Sequence, residues 1–189
     1  MKTAKLIFHP LTPDRWTDLE RLFGERGACG GCWCMTWRLS RSQFEAQKGR
    51  INRRSFRKIV EQNPPGILAY QDGEPIGWCA VAPREDYPVL ARSRVLGPVD
   101  SQPVWSITCL FVAKPFRRTG MSVALLKAAK KFAQRLGAKL VEGYPVEPYD
   151  GNMPPAFAWT GLVSAFRKAG FKEVARRSRT RPIMRCSVG

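Results

Sequence analysis

The apolar run Leu6, Ile7 and Phe8 within "AKLIFHPL" (residues 4–11) reads as a first strand. Helical spacing follows. In "LTPDRWTDLERLF", Trp16, Leu19, Leu22 and Phe23 recur at helical spacing, with Thr12 as the cap and Pro13 at the first helical position. A second helical stretch, "LSRSQFEAQKGRINRRSFRKIVEQN" (39–63), is heavily basic, reads as solvated or anion-facing, and stops before Pro64 and Pro65. From Gly66 the pattern is that of strands: "GILAYQ" and "PIGWCAVA" flank a turn containing Asp72-Gly73, which predicts a hairpin. Residues 83–103 read as a connector with a short helix, and "VWSITCLFVA" (104–113) as a buried strand.

An amphipathic helix is expected from about Ser122 to Leu136, ended by Gly137. Leu126, Ala129, Ala133 and Leu136 would form its apolar face, and Lys127, Lys130, Lys131, Gln134 and Arg135 its polar one. "AKLVEGYPV" (138–146) follows as a strand, then a Pro/Gly-rich loop (147–159) long enough to be functional. A short helix in "TGLVSAFRKAG" and a terminal hairpin in "FKEVARRSRTRPIMRC" complete the chain. With no repeat and no second core, residues 1–189 read as one α/β domain.

Charge narrows the partners. The chain carries 32 Lys and Arg against 15 Asp and Glu, a formal +17. Residues 38–58, 114–135 and 167–185 hold most of the excess, so a polyanion is expected: nucleic acid, or a phosphate-rich cofactor. The bland alternative is a cationic surface that only confers solubility. No apolar run approaches membrane-spanning length, and the N-terminus is too short and polar for a signal peptide. A cytoplasmic protein with reduced cysteines is the expectation.

Two stretches carry candidate chemistry. In "LFVAKPFRRTGMS" a strand runs into a basic, glycine-containing loop that opens a helix, which aims unpaired N–H groups and the positive end of the helix dipole at an anion. It matches neither G-x-x-x-x-G-K-[ST] nor G-x-G-x-x-G. The other is "CGGCWCMTWR", where Cys29, Cys32 and Cys34 supply three thiols although a closed zinc site needs four ligands. A zinc or redox protein built on these cysteines and a basic nucleic-acid-binding module are the alternatives to an enzyme.

The order hairpin, strand ending "LFV", "RRTGMS" loop, helix, strand and short helix running into "GF" resembles the GCN5-related N-acetyltransferase (GNAT) superfamily over roughly residues 66–186. The family's cofactor pattern is Q/R-x-x-G-x-G/A; Arg117 takes its first position and Gly120 its fourth, while Ser122 stands where Gly or Ala is usual and Arg118 where Gly is frequent. The resemblance implies a central mixed, mostly antiparallel sheet flanked by helices. Residues 1–64 would supply acceptor-side helices, and 66–186 the sheet and coenzyme A site. It also implies an N-acetyltransferase that moves an acetyl group from acetyl-CoA to a primary amine by direct attack in a ternary complex.

The backbone of Leu110, Phe111 and Val112 would hold the pantetheine arm, and a backbone N–H near Leu110 would polarise the thioester carbonyl. Arg117, Arg118, Thr119, Gly120, Met121 and Ser122 would hold the diphosphate. Many members carry a tyrosine acid in the last helix; here that position is Phe166, and the 104–112 strand has no glutamate base. Glu142, Tyr144 and Tyr149 are then the candidates for proton transfer, with Ser106 and Thr108 as water-holders. "CGGCWCMTWR" falls where the fold forms the acceptor wall, so Trp33, Met35 and Trp37 would supply its surface, Arg38 would orient an acidic group, and no metal would be held. The acceptor would be a small-molecule or peptide amine, anionic groups included; a homodimer is left open.

Overall fold

The computed structural model describes residues 5–149 and 157–189. The chain begins with β1 (Leu6–Pro10) and α1 (Trp16–Phe23). Thr12 precedes a 3-10 turn and makes no cap through its side chain; its Oγ1 instead accepts from Arg15 Nη1 at 2.8 Å. The basic stretch forms two helices where one was expected, α2 (Arg41–Gln47) and α3 (Arg50–Gln62). They part at Gly49, whose φ of 79° is left-handed, and Gly49 N–H donates to the Gly31 carbonyl at 3.1 Å. A Cβ on Gly31 would stand 2.7 Å from Gly49 N, so this crossing of two chain segments requires glycine. Ser40 and Gln43 form a reciprocal capping box that starts α2. In α3 one face buries Phe56 and Val60, while Arg50, Arg54 and Lys58 on the other are exposed.

Strands β2 (Gly66–Gln71) and β3 (Glu74–Pro83) form the hairpin, with Asp72 and Gly73 both at positive φ in its turn. The connector holds α4 (Pro88–Ala91), and then come β4 (Trp105–Val112), α5 (Met121–Arg135) and β5 (Leu140–Gly143). The chain ends with α6 (Val163–Lys168), β6 (Lys172–Arg176) and β7 (Pro182–Ser187). Residues 150–156, in the expected functional loop, lie outside the described residues.

The seven strands form one sheet in the order β1-β2-β3-β4-β5-β7-β6, antiparallel except for the β4–β5 pair. Alternation along β3 builds both sides of it: Trp78 and Ala80 pack under α1 and α3, Cys79 and Val81 under α5 and α6. Leu125, Leu126, Ala129 and Ala133 carry the buried face of α5 at 0 % exposure, each leucine contributing roughly 1.5–3 kcal/mol. Leu136, expected on that face, is half exposed because the helix has already ended. Gly137 (φ 90°) donates to the Gln134 carbonyl and Ala138 to that of Ala133, a glycine-terminated cap.

Candidate active site

After β4 the chain makes one tight turn at Lys114–Phe116 and reverses into α5. Arg118 (φ 63°) and Gly120 (φ 85°) are left-handed, and nothing lies within 4 Å of where a Gly120 Cβ would be. The Val123 and Ala124 amides both bond to the Gly120 carbonyl, so those of Met121 and Ser122 open the helix without an intrahelical acceptor. Arg117 and Arg118 are exposed beside them. Arg117 Nε donates to the Val112 carbonyl at 3.0 Å, and Thr119 Oγ1 to that of Phe116 at 2.7 Å. The result is an open, cationic mouth lined by amides, the chemistry that holds a diphosphate. Met121 offers it only backbone, since its side chain is in the core.

Parallel pairing of β4 with β5 ends at Ile107–Gly143. On the other side of β4, Ile107 pairs with Val81 and Cys109 with Ala80, which leaves Thr108 as the extra residue of a bulge. Beyond it the Leu110 amide donates to the Trp159 carbonyl at 2.7 Å. The chain at Gly161 comes so close that a Cβ there would meet Leu110 Cδ1 at 2.8 Å and Phe166 Cε2 at 2.7 Å. The Trp159 indole packs on Trp37, ring centroids 5.8 Å apart.

Glu142 lies on β5 and is completely buried, and both its oxygens are bonded. Oε1 accepts from Arg84 Nη1 at 2.6 Å and from the Tyr144 hydroxyl at 2.7 Å; Oε2 accepts from Arg185 Nε at 2.6 Å. Arg185 also pairs with Asp100 at 2.6 Å, and Arg84 Nη2 donates to the carbonyl of Leu96 at 2.8 Å, which ties the β3–β4 connector to β5. Tyr144 also bonds to Ser106 Oγ at 2.8 Å. Burial, with the Glu142 charge beside it, pushes the Tyr144 hydroxyl well above the ordinary tyrosine value.

The segment after α1 borders a cleft of about 700 Å³ at the β3–β4 end of the sheet. Met35, Trp105 and Leu136 give it an apolar lining, and its charged side chains among the described residues are Arg38 and Asp86. The Arg38 side chain is 8 % exposed; Nη1 reaches Asp86 Oδ2 at 3.4 Å and its carbonyl at 3.2 Å, and the guanidinium stacks on Tyr87 at 4.5 Å. Tyr87 is buried beside Thr108, and burial pushes its hydroxyl up to about 12 despite the opposing Arg38 charge. The Tyr87 hydroxyl, Arg38 Nε and Nη2 and Trp37 Nε1 are buried with no hydrogen-bond partner among the described residues.

A family model described as the acetyltransferase (GNAT) family matches residues 33–148. The chain belongs to this family. It is an N-acyltransferase, and the alternatives of a nucleic-acid module or a zinc or redox protein give way to a GNAT enzyme. Solved structures share the fold. An acetyltransferase of the GNAT family from Listeria monocytogenes 4b F2365 superposes with a TM-score of 0.56 at 10% identity, covering 98% of each chain. An N-acetyltransferase from Staphylococcus aureus Mu50 gives 0.56 at 9% identity, covering 98% of this chain and 100% of the other. The PaiA N-acetyltransferase from Thermoplasma acidophilum, in complex with coenzyme A, gives 0.53 at 14% identity, covering 97% of this chain and 99% of the other. No curated protein matches the sequence. Among the described residues no helix is long and apolar enough to cross a membrane.

Several residues singled out in the sequence stand elsewhere in this GNAT domain than expected. Trp33 is a core residue: its indole stacks on Trp16 at 5.9 Å and tilts against Phe23 at 5.7 Å, under β3 and away from the cleft. Met35 and Arg38 do line the cleft, and Trp37 stands beside Trp159. The three clustered thiols diverge: Cys29 is exposed, Cys32 faces the Gly27 carbonyl at 3.7 Å, and Cys34 accepts from Trp78 Nε1 at 3.1 Å. Among the described residues no three His, Cys, Asp or Glu side chains converge as a metal site.

Glu142 and Tyr144, expected to move protons, are saturated members of a buried network, with no side-chain surface turned to a substrate. Tyr149 is 64 % exposed under the guanidinium of Arg179, on the β6–β7 side. Sequence reading missed Tyr87 and Trp159. Trp159 falls in the loop whose length was noted, Tyr87 in a stretch read as a plain connector, and no motif marks either.

Three tyrosines give the domain an alkaline signature. Tyr70, bonded to Asp18 at 2.7 Å, Tyr87 and Tyr144 all have hydroxyls raised above the ordinary value near 10, by burial first. A raised folded-state value means the neutral form stabilises the fold fully below pH about 10. That contribution is lost as pH climbs through the folded values, about 12 for Tyr87. Phenolate absorbance should therefore show these tyrosines ionising late and together with unfolding; early ionisation in the folded protein would contradict their burial.

Proposed function

We propose that the protein transfers an acetyl group from acetyl-CoA to a primary amine by direct attack in a ternary complex. The observation that carries the reading is the opening of β4 from β5 at the Thr108 bulge, continuous with the cationic, amide-lined mouth at 117–122. The diphosphate of the donor suits the Met121 and Ser122 amides with Arg117 and Arg118, and Gly120 leaves room for close approach. The backbone of Leu110 to Val112 is the edge for the pantetheine amides. The Leu110 N–H serves the thioester oxygen once the Trp159 carbonyl has released it.

The neutral amine attacks the thioester carbon, the C–S bond breaks, and the departing thiolate takes a proton. With Phe166 in the last helix and Glu142 and Tyr144 held in their network, Tyr87 is the better proton donor: its hydroxyl is buried beside Thr108 of the bulge and, among the described residues, makes no hydrogen bond of good geometry. Water held by Thr108 can accept the proton of the attacking amine.

Incubation with acetyl-CoA and a cell metabolite extract should yield products heavier by one acetyl group; none, from a protein that binds no coenzyme A, would refute the reading. Arg117→Ala should weaken acetyl-CoA binding by about ten- to a hundredfold, the scale of a lost charge-assisted hydrogen bond. Calorimetry on the folded variant decides it, and unchanged affinity would remove Arg117 from the donor site.

A further inference from the structure

The geometry points to Arg38 as a carboxylate fork that selects the acceptor: an amine whose own molecule carries a carboxylate and an apolar body. This rests on the acetyl-transfer reading and deepens it. The guanidinium is anchored on one side, where Nη1 bonds to the carbonyl and carboxylate of Asp86, and flattened against the Tyr87 ring. What is left unpartnered is not scattered. Nε–H and Nη2–H lie on the same edge of the planar group and point parallel, the arrangement that grips both oxygens of a carboxylate.

Trp37 Nε1, from the adjacent residue and packed in the same cluster as Tyr87, is a third buried donor without an acceptor among the described residues. Buried donors without acceptors are complete only with a group that accepts, and the paired Arg38 donors beside the cleft present the geometry for a ligand to supply it. Charge chooses among such groups. The cleft beside Arg38 holds one cation and one anion among its described residues, in a protein of formal charge +17. A singly charged carboxylate suits this balance better than a doubly charged phosphate, which the exposed basic faces would serve better. Met35, Trp105 and Leu136 then set the apolar character of the rest of the molecule. Tyr87 joins the fork to the chemistry, because it stacks under Arg38 and its hydroxyl lies beside Thr108.

The test compares matched acceptors on the wild-type enzyme: apolar and aromatic L-amino acids, their α-carboxamides, and the corresponding amines with no carboxyl group. Product is read by mass, and coenzyme A binding by calorimetry. The carboxylates should exceed the carboxamides in kcat/KM by on the order of ten- to a hundredfold. Arg38→Gln should bring the two together through KM, and Arg38→Lys, which keeps charge without the fork, should restore only part of the gap.

Equal use of carboxamides or plain amines by the wild type would overturn the fork and leave acetyl transfer standing. So would coenzyme A binding with no transfer to any carboxylate-bearing amine, or a folded Arg38→Gln enzyme that keeps the preference. Failure to bind coenzyme A would instead remove the acetyl-transfer reading itself. The wild-type comparison decides the matter even if neither variant folds.

Discussion

Glu142→Ala should destabilise the domain by about 3–5 kcal/mol, read as a lowered midpoint of denaturant unfolding. The carboxylate has no solvent exposure, and it is the single anion between Arg84 and Arg185, whose side chains are 13 % and 9 % exposed. Its removal strands the Arg84 guanidinium and the Tyr144 hydroxyl in a low-dielectric interior and leaves Arg185 with Asp100 alone, and the uncompensated Arg84 charge dominates the cost. Asp100 provides the contrast. It pairs with the same Arg185, but its side chain is 37 % exposed, so Asp100→Ala should cost no more than about 1 kcal/mol. Two variants of similar, small effect would mean that Glu142 is no hub.

Tyr87→Phe should lower kcat by about a hundredfold or more and deform the alkaline limb of the pH–rate profile, while thermal stability stays level or rises. The two halves of this expectation separate catalysis from structure. Among the described residues the hydroxyl makes no hydrogen bond of good geometry, so its loss removes desolvation cost and does not weaken the fold. The same hydroxyl, beside Thr108 of the bulge, is the proposed proton source. A variant with wild-type turnover would assign the proton to solvent; one that loses both stability and turnover would show that the hydroxyl has a structural partner.

Local pattern carried the elements that repeat locally. The Asp72-Gly73 hairpin, the buried run of β4 and the glycine at the end of α5 were all legible, because each is set by residues within a turn or two of one another. The break at Gly49 was not, since it depends on the Gly31 backbone eighteen positions earlier in the chain. Glu142 and Tyr144 read as candidates for proton transfer, and not as one buried network, for the same reason. Nothing near them announces Arg84, Asp100 and Arg185, which arrive from the connector and from β7. The geometry of the "RRTGMS" loop, a turn that opens α5 with exposed arginines, was legible because it is set by contiguous backbone. The contacts of Arg38 with Tyr87 and of Trp37 with Trp159 were not legible, since each pair meets only through tertiary packing. Trp33 misled for the converse reason, because an aromatic in a glycine-rich stretch has the same sequence signature whether it lines a pocket or fills a core.

The bond from the Leu110 amide to the Trp159 carbonyl alters what a thioester can gain by binding. Were the amide free in water or unpaired, the arriving oxygen would add a contact. On the proposed reading it would displace one of equal kind, at 2.7 Å, and the exchange would be close to neutral in the ground state. Acetylated and unacetylated coenzyme A should then bind with similar strength, discrimination between reactant and spent product being poor. As negative charge builds on the oxygen during attack, the same amide interacts with it more strongly than it ever did with a neutral peptide carbonyl. A self-complementary resting state of this kind is a filter that passes the transition state and is indifferent to the ligand before it.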